Sequence, residues 1–147
     1  MAQLYVEIDL KRGEPEGVTR KVVKRTIELS RLELKGNIQR NAPVDHGKLQ
    51  GGWFISPYPG LGGSVHSNAH YTSYVNDGTG IYGPRGQVIR PKNAKALKFT
   101  TKTGKTVFAK SVRGIKPRRF IEKSITQTER RNDEFLIRAV MENEGSL

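Results

Sequence analysis

Val22-Val23-Lys24-Arg25-Thr26-Ile27-Glu28-Leu29-Ser30-Arg31-Leu32-Glu33-Leu34-Lys35-Gly36-Asn37-Ile38 decides the architecture. Its apolar residues recur at three- and four-residue intervals, the period of an α-helix. Upstream, Pro15 suits a first helical turn, where its missing N–H would have had no partner. Downstream, Pro43 disfavours helical backbone at the residue before it. The spacing predicts one long helix from about Glu16 to Asn41.

This helix carries two apolar stripes. At about 100° per residue, Val18, Val22, Leu29 and Leu32 fall on one face, and Val23, Ile27, Leu34 and Ile38 on nearly the opposite one. Thr19, Thr26, Ser30 and Asn37 mostly line one side between them, with Glu33 the exception, while Lys21, Lys24, Glu28, Arg31 and Lys35 crowd the other. A small domain usually buries a single stripe of such a helix, so the second needs another cover. Two readings are open. Either the helix is sunk into its own domain, or Val23, Ile27, Leu34 and Ile38 form a subunit contact.

Around the helix the pattern is strand-like. Leu4, Val6, Ile8 and Leu10 alternate with Tyr5, Glu7 and Asp9, a half-buried strand. Trp53-Phe54-Ile55 and Ser64-Val65-His66-Ser67 are β-prone, and Leu97–Thr101 with Thr106–Val112 flank Thr103-Gly104 as a hairpin. A short helix is expected over Ala69–Asn76, stopped by Asp77-Gly78. Gly80 to Ala94 lacks apolar periodicity and reads as a long exposed basic loop, ending near residue 95. A last helix is expected from near Pro117, with a bend in the polar stretch Thr126–Asn132 and fraying from about residue 143. The expected fold is α+β: a long N-terminal helix and a C-terminal helix packed on a small, mostly antiparallel β-sheet, as a single domain over residues 1–147.

Composition narrows the chemistry. At 147 residues, 35% hydrophobic and 27% charged, the chain is that of a globular domain. It has no cysteine, so disulfides and thiolate sites are excluded. No apolar run approaches the roughly 20 residues of a membrane-spanning helix, and no membrane partner is expected. The net charge of +12 favours polyanionic partners. About half of the basic residues lie between Arg85 and Lys123, where Glu122 alone and no other acid opposes them.

Motifs for catalysis are weak. Gly104-Lys105-Thr106 imitates the end of a phosphate-binding loop, but Phe99 stands where the first glycine is required. His66 and His70 are four apart without the glutamate of a metalloprotease helix, and His46 adds no periodic support. Asp45 and Asp77 are the only acids between Glu33 and Glu122, and each precedes a turn where its carboxylate can bond backbone N–H groups. No catalytic residue, metal ligand or cofactor site is expected. Two basic groups remain as candidates. Arg85, Arg90 and Lys92 in the long loop are candidates for facing DNA. Lys116, Arg118 and Arg119, at the expected start of the last helix, are candidates for docking an anion or an acidic protein. The bland alternative is that both groups are solvated surface.

Four short patterns occur in a fixed order: Asn41-Ala42-Pro43-Val44-Asp45-His46-Gly47-Lys48-Leu49, Tyr71-Thr72-Ser73-Tyr74-Val75-Asn76-Asp77-Gly78-Thr79, Lys95-Ala96-Leu97-Lys98-Phe99 and Ile115-Lys116-Pro117-Arg118-Arg119-Phe120-Ile121. Together they resemble the head–tail joining family of long-tailed bacteriophages, also called neck, minor tail or tail completion proteins. The resemblance covers roughly residues 18–125. His46 stands where that family usually has Thr, and Arg119 where it has a second Pro. The resemblance implies a non-enzymatic structural virion protein that joins heads to tails or completes tails. It further implies a homo-oligomer, a ring in the assembled particle, touching neighbouring neck, connector or tail proteins and non-specifically the DNA in the channel. The implied location is the virion, and the host cytoplasm during assembly. The rival reading is a sequence-nonspecific nucleic-acid-binding protein or small ribonuclease-type toxin, which would need aromatic residues interleaved with basic ones.

Overall fold

The computed structural model describes residues 4–9, 20–44, 47–56 and 60–144. The architecture is α+β, with a long N-terminal helix, C-terminal helices and small antiparallel sheets. Two compact units divide the chain: residues 1–72 with 120–147, and residues 73–119.

The first unit is built on helix α1 (Arg20–Asn41). Strands β1 (Leu4–Asp9), β2 (Trp53–Ser56) and β3 (Gly62–Ser67) form an antiparallel sheet in the order β1-β3-β2. Register follows Val6 opposite Val65 and Ile55 opposite Val65, which puts Val65, with no exposed surface, at the sheet's centre. A one-turn helix, α2 (Lys48–Gly51), leads into β2. Helices α4 (Phe120–Glu129) and α5 (Asn132–Glu144) complete the unit. They break at Arg130–Arg131, inside the polar stretch where a bend is expected, and α5 runs on through Glu144.

The apolar pattern of α1 resolves in favour of burial. Val23, Ile27, Leu34 and Ile38 are all buried within the chain, Ile38 completely. This corrects the subunit-contact reading: these side chains are the protein's own core. Val22 and Leu29 of the other stripe are buried as well, whereas Leu32 is exposed. Ser30 and Asn37 on the polar side between the stripes are buried too, where α1 meets α4 and α5. Asn37 Nδ2 donates to Thr128 Oγ1 at 3.0 Å, and Asn41 Nδ2 donates to Ser124 Oγ at 2.9 Å. Ser30 Oγ donates to Asn132 Oδ1 at 3.2 Å. Thus α1 packs against the sheet and against two helices, which is why Val22 and Leu29 are covered as well as the Val23–Ile38 stripe. The expected start of the helix at Glu16 lies outside the described residues.

Trp53 anchors the core edge-on to Phe120, with ring centroids 6.4 Å apart at 86°. Where β2 ends and β3 begins, the Arg31 stem lies across Gly63 and its Nη1 donates to the Ser56 carbonyl at 3.0 Å. A side chain at position 63 would collide with that stem.

Residues 73–119 form the second unit. It holds most of helix α3 (Thr72–Asp77), a 3-10 turn at Gly80–Tyr82, and the hairpin of β4 (Leu97–Thr100) and β5 (Thr106–Ala109). The hairpin turn closes through Gly104, at φ +79°, whose N–H donates to the Thr101 carbonyl at 2.9 Å. Gly104-Lys105-Thr106 therefore leaves a tight turn over Thr101–Gly104 and enters strand β5, with no helix following it to cradle a phosphate.

Candidate functional site

Charge is distributed between the two units very unequally. Residues 73–119 hold 12 of the chain's 26 Lys and Arg and one of its 14 acidic residues, Asp77. This 47-residue unit therefore carries +11 of the net +12. All twelve of its cations are exposed. Such a density of like charge repels itself, and binding an anion relieves that repulsion.

The backbone beneath this charge is held by a crossing of two glycine-containing segments. The Thr79 N–H donates to the Ile115 carbonyl at 2.9 Å and the Ile81 N–H to the Arg113 carbonyl at 2.8 Å. Thr79 Oγ1 accepts from the Ile115 N–H at 3.0 Å. Gly80 and Gly114, at φ +64° and +95°, lie where the segments meet. A Cβ at Gly80 would fall on the Arg113 carbonyl, and one at Gly114 on the Thr79 carbonyl. Glycine is needed at both places for conformation and for space. The Tyr71–Thr79 and Ile115–Ile121 patterns, 36 residues apart at Thr79 and Ile115, are thus brought together.

That crossing organises the candidate loop. Ile89 and Val112 exchange backbone hydrogen bonds at 2.9 and 3.0 Å, and Gly83 closes the 3-10 turn onto Gly80 at 3.2 Å. The expected featureless loop is therefore pinned at Ile81 and Ile89. Arg85 lies in the exposed span between those anchors, and Arg90 and Lys92 just beyond the second. All three are exposed, and they belong to the same unit as the hairpin lysines.

Lys116, Arg118 and Arg119 need a correction. Helix α4 begins at Phe120, after them, and its first turn carries Glu122, an anion at the end where the helix dipole favours one. The N–H groups of Arg118 and Arg119 donate to the carbonyls of Val75 and Asn76, both at 3.1 Å. They close the C-terminal end of α3 and are not free to bind an anion. What remains is side chains. Lys116 Nζ sits 5.8 Å from the Tyr82 ring centroid, and Arg119 Nη1 lies 3.5 Å from Asp77 Oδ1. The Arg119 backbone has φ +50°. A proline ring forbids that conformation, so position 119 of this backbone has no place for a proline.

The remaining patterns have structural roles. In the first, Ala42 and Leu49 are buried core, and the Gln39 and Gln50 side chains each donate to the other's backbone carbonyl, at 3.0 and 3.1 Å. Asp45 and His46 lie outside the described residues. His66 Nδ1 is hydrogen-bonded to Ser56 Oγ at 2.7 Å, and His70 is exposed. Among the described residues no group of three or more His, Cys, Asp or Glu is placed to hold a metal. No helix among them is long and apolar enough to cross a membrane.

One feature of the basic unit escaped the sequence reading. Phe108 is 67% exposed and Phe99 41%. Lys98 stands directly across from Phe108 in the hairpin register, so the two share a face. The signal was present in the alternation of Thr106, Phe108 and Lys110, which places a large aromatic on a basic, outward-facing row. Comparison with protein-family models, with curated proteins and with solved structures finds no match for this chain.

Proposed function

We propose that this chain is a non-enzymatic structural protein of the bacteriophage head–tail connection or tail end, acting as heads and tails join or as tails are completed. The observation that carries the reading is the glycine crossing. Two of the four patterns that resemble the neck family meet there, in the unit that holds nearly all the net charge. In this reading Arg85, Arg90 and Lys92 face DNA phosphates without reading bases, and the side chains of Lys116, Arg118 and Arg119 dock an acidic neighbour. Its partners are further copies of itself and adjoining neck, connector or tail proteins, in the virion and, during assembly, in the host cytoplasm.

The alternative is a sequence-nonspecific nucleic-acid-binding protein or ribonuclease-type toxin. The exposed Phe108 beside Lys98 favours it, since aromatic and basic residues together make a stacking surface. Incubation with labelled RNA and DNA separates the readings. The structural reading expects no cleavage, and weak duplex binding that falls steeply with salt. Replacing Arg85, Arg90 and Lys92 by Ala should flatten that salt slope by up to about three phosphate contacts. Phosphodiester cleavage would put the toxin reading in its place.

A further inference from the structure

Two unpartnered surfaces on this chain carry opposite charge. On α5, Asp133, Ile137, Met141 and Glu144 follow one another at helical spacing and share a solvent-facing side. Ile137 is 56% and Met141 68% exposed, one turn apart. The charges of α5 on that side are the carboxylates of Asp133 and Glu144, whereas Arg138 is paired with Glu142 at 2.9 Å, and Glu142 also binds Arg25 of α1. On the hairpin, Phe108 stands out beside Lys98, with Lys110 two residues on, and the nearest acid in that unit's sequence is Asp77.

We infer that these surfaces bind each other between copies: the Phe108 face of the β4–β5 hairpin docks on the Ile137–Met141 face of α5 in a second molecule of this chain. The apolar groups supply buried area, and the lysines meet carboxylates around them. Like charge around each patch disfavours a contact of either surface with its own copy. The contact is therefore heterologous, head to tail, and leaves one free end of each kind on every pair. It replaces the α1 stripe as the subunit contact, and it holds whether or not the protein belongs to a virion.

Light scattering and sedimentation velocity of the full chain test this at low and high salt. Wild type should self-associate with rising concentration and dissociate as salt is added. Phe108→Glu and Ile137→Lys, each at an exposed position, should keep the circular dichroism spectrum and weaken association about thirtyfold or more. Mixed one to one, the two variants should form a dimer that grows no further, since each retains one working surface. Three outcomes overturn the inference: wild type monomeric at the highest concentration reached, single variants that associate like wild type, or a mixture that stays monomeric. If wild type stays monomeric while Phe108→Glu abolishes binding to a twenty-residue oligothymidylate, the hairpin serves nucleic acid instead, and the inference fails.

Discussion

Asn37 and Thr128 meet in the interior of the protein: the Asn37 amide donates to Thr128 Oγ1 at 3.0 Å, and both side chains are buried. Thr128 Oγ1 in turn donates to the Ser124 carbonyl at 2.9 Å. The polar flank of α1 is thus the seam on which α4 packs, and its polarity is satisfied across the contact. An unmade bond there would leave a buried amide unpaired, at a cost of about 1–3 kcal/mol. Thr128→Val, which removes the acceptor and keeps the amide, should lower the urea midpoint accordingly.

With Val23, Ile27, Leu34 and Ile38 all buried, acid on that stripe is a folding defect. Val23→Glu with Ile27→Glu places two carboxylates where each side chain is 4% exposed. The double variant should lose its cooperative unfolding transition and much of its helical circular dichroism. A folded double variant that has merely lost assembly would restore the subunit-contact reading of that stripe.

Glycines 104 and 114 give an internal comparison. Both have positive φ, but a Cβ at Gly104 meets open space while one at Gly114 meets the Thr79 carbonyl. Gly104→Ala should cost only the left-handed strain of about 1–2 kcal/mol. Gly114→Ala should cost more and should part the crossing, seen as faster hydrogen exchange at the Thr79 and Ile81 amides. Equal effects for the two variants would mean the crossing is not held as described.

Glu142 ties the end of α5 to α1. Its hydrogen bond from Arg25 at 2.6 Å, with a second from Arg138, holds the carboxyl below its ordinary value of 4.5. A carboxyl lowered by folding adds stability that is complete above the unfolded value and disappears as pH falls through the folded one. The melting temperature of wild type should exceed that of Glu142→Gln at neutral pH by a small margin, because the pair is solvent-exposed. The margin should close as pH drops below 4.5.

Limited trypsin digestion checks the pinned loop. Arg85 lies in an exposed span between the Ile81 and Ile89 anchors, and the Arg90 bond precedes Pro91, which resists the protease. The first internal cut between residues 80 and 94 should therefore fall after Arg85. Cutting after Lys92 at least as fast would show that the Ile89–Val112 bridge does not hold that end.

Much of this fold was legible in the sequence because it rests on local periodicity and turn chemistry. The alternation in β1, the hairpin around Gly104, the stop at Gly78 and the break near Arg130 all follow from neighbouring residues. What covers the second stripe of α1 did not follow, because Asn37 and Thr128 are 91 positions apart and polar pairing across a helix seam leaves no periodic mark. The same holds for the candidate site. Its charge was plain, but Gly80 and Gly114 become partners only when the chain crosses itself. Pro117, a residue type common in first turns, points to a helix start at the cations before Phe120. The chain uses them instead to close α3, with Arg119 in a left-handed turn.

The central claim, a structural role in joining or completing phage tails, is tested most directly by electron microscopy of particles made without this protein. On the proposed reading the gene belongs to a phage genome, and its deletion there should leave DNA-filled heads and tails that are unjoined or of unfinished length. Supplying wild-type protein should restore infectious particles, and the Gly114→Ala variant should restore fewer. Normal particles at normal titre in the deletion would contradict the account.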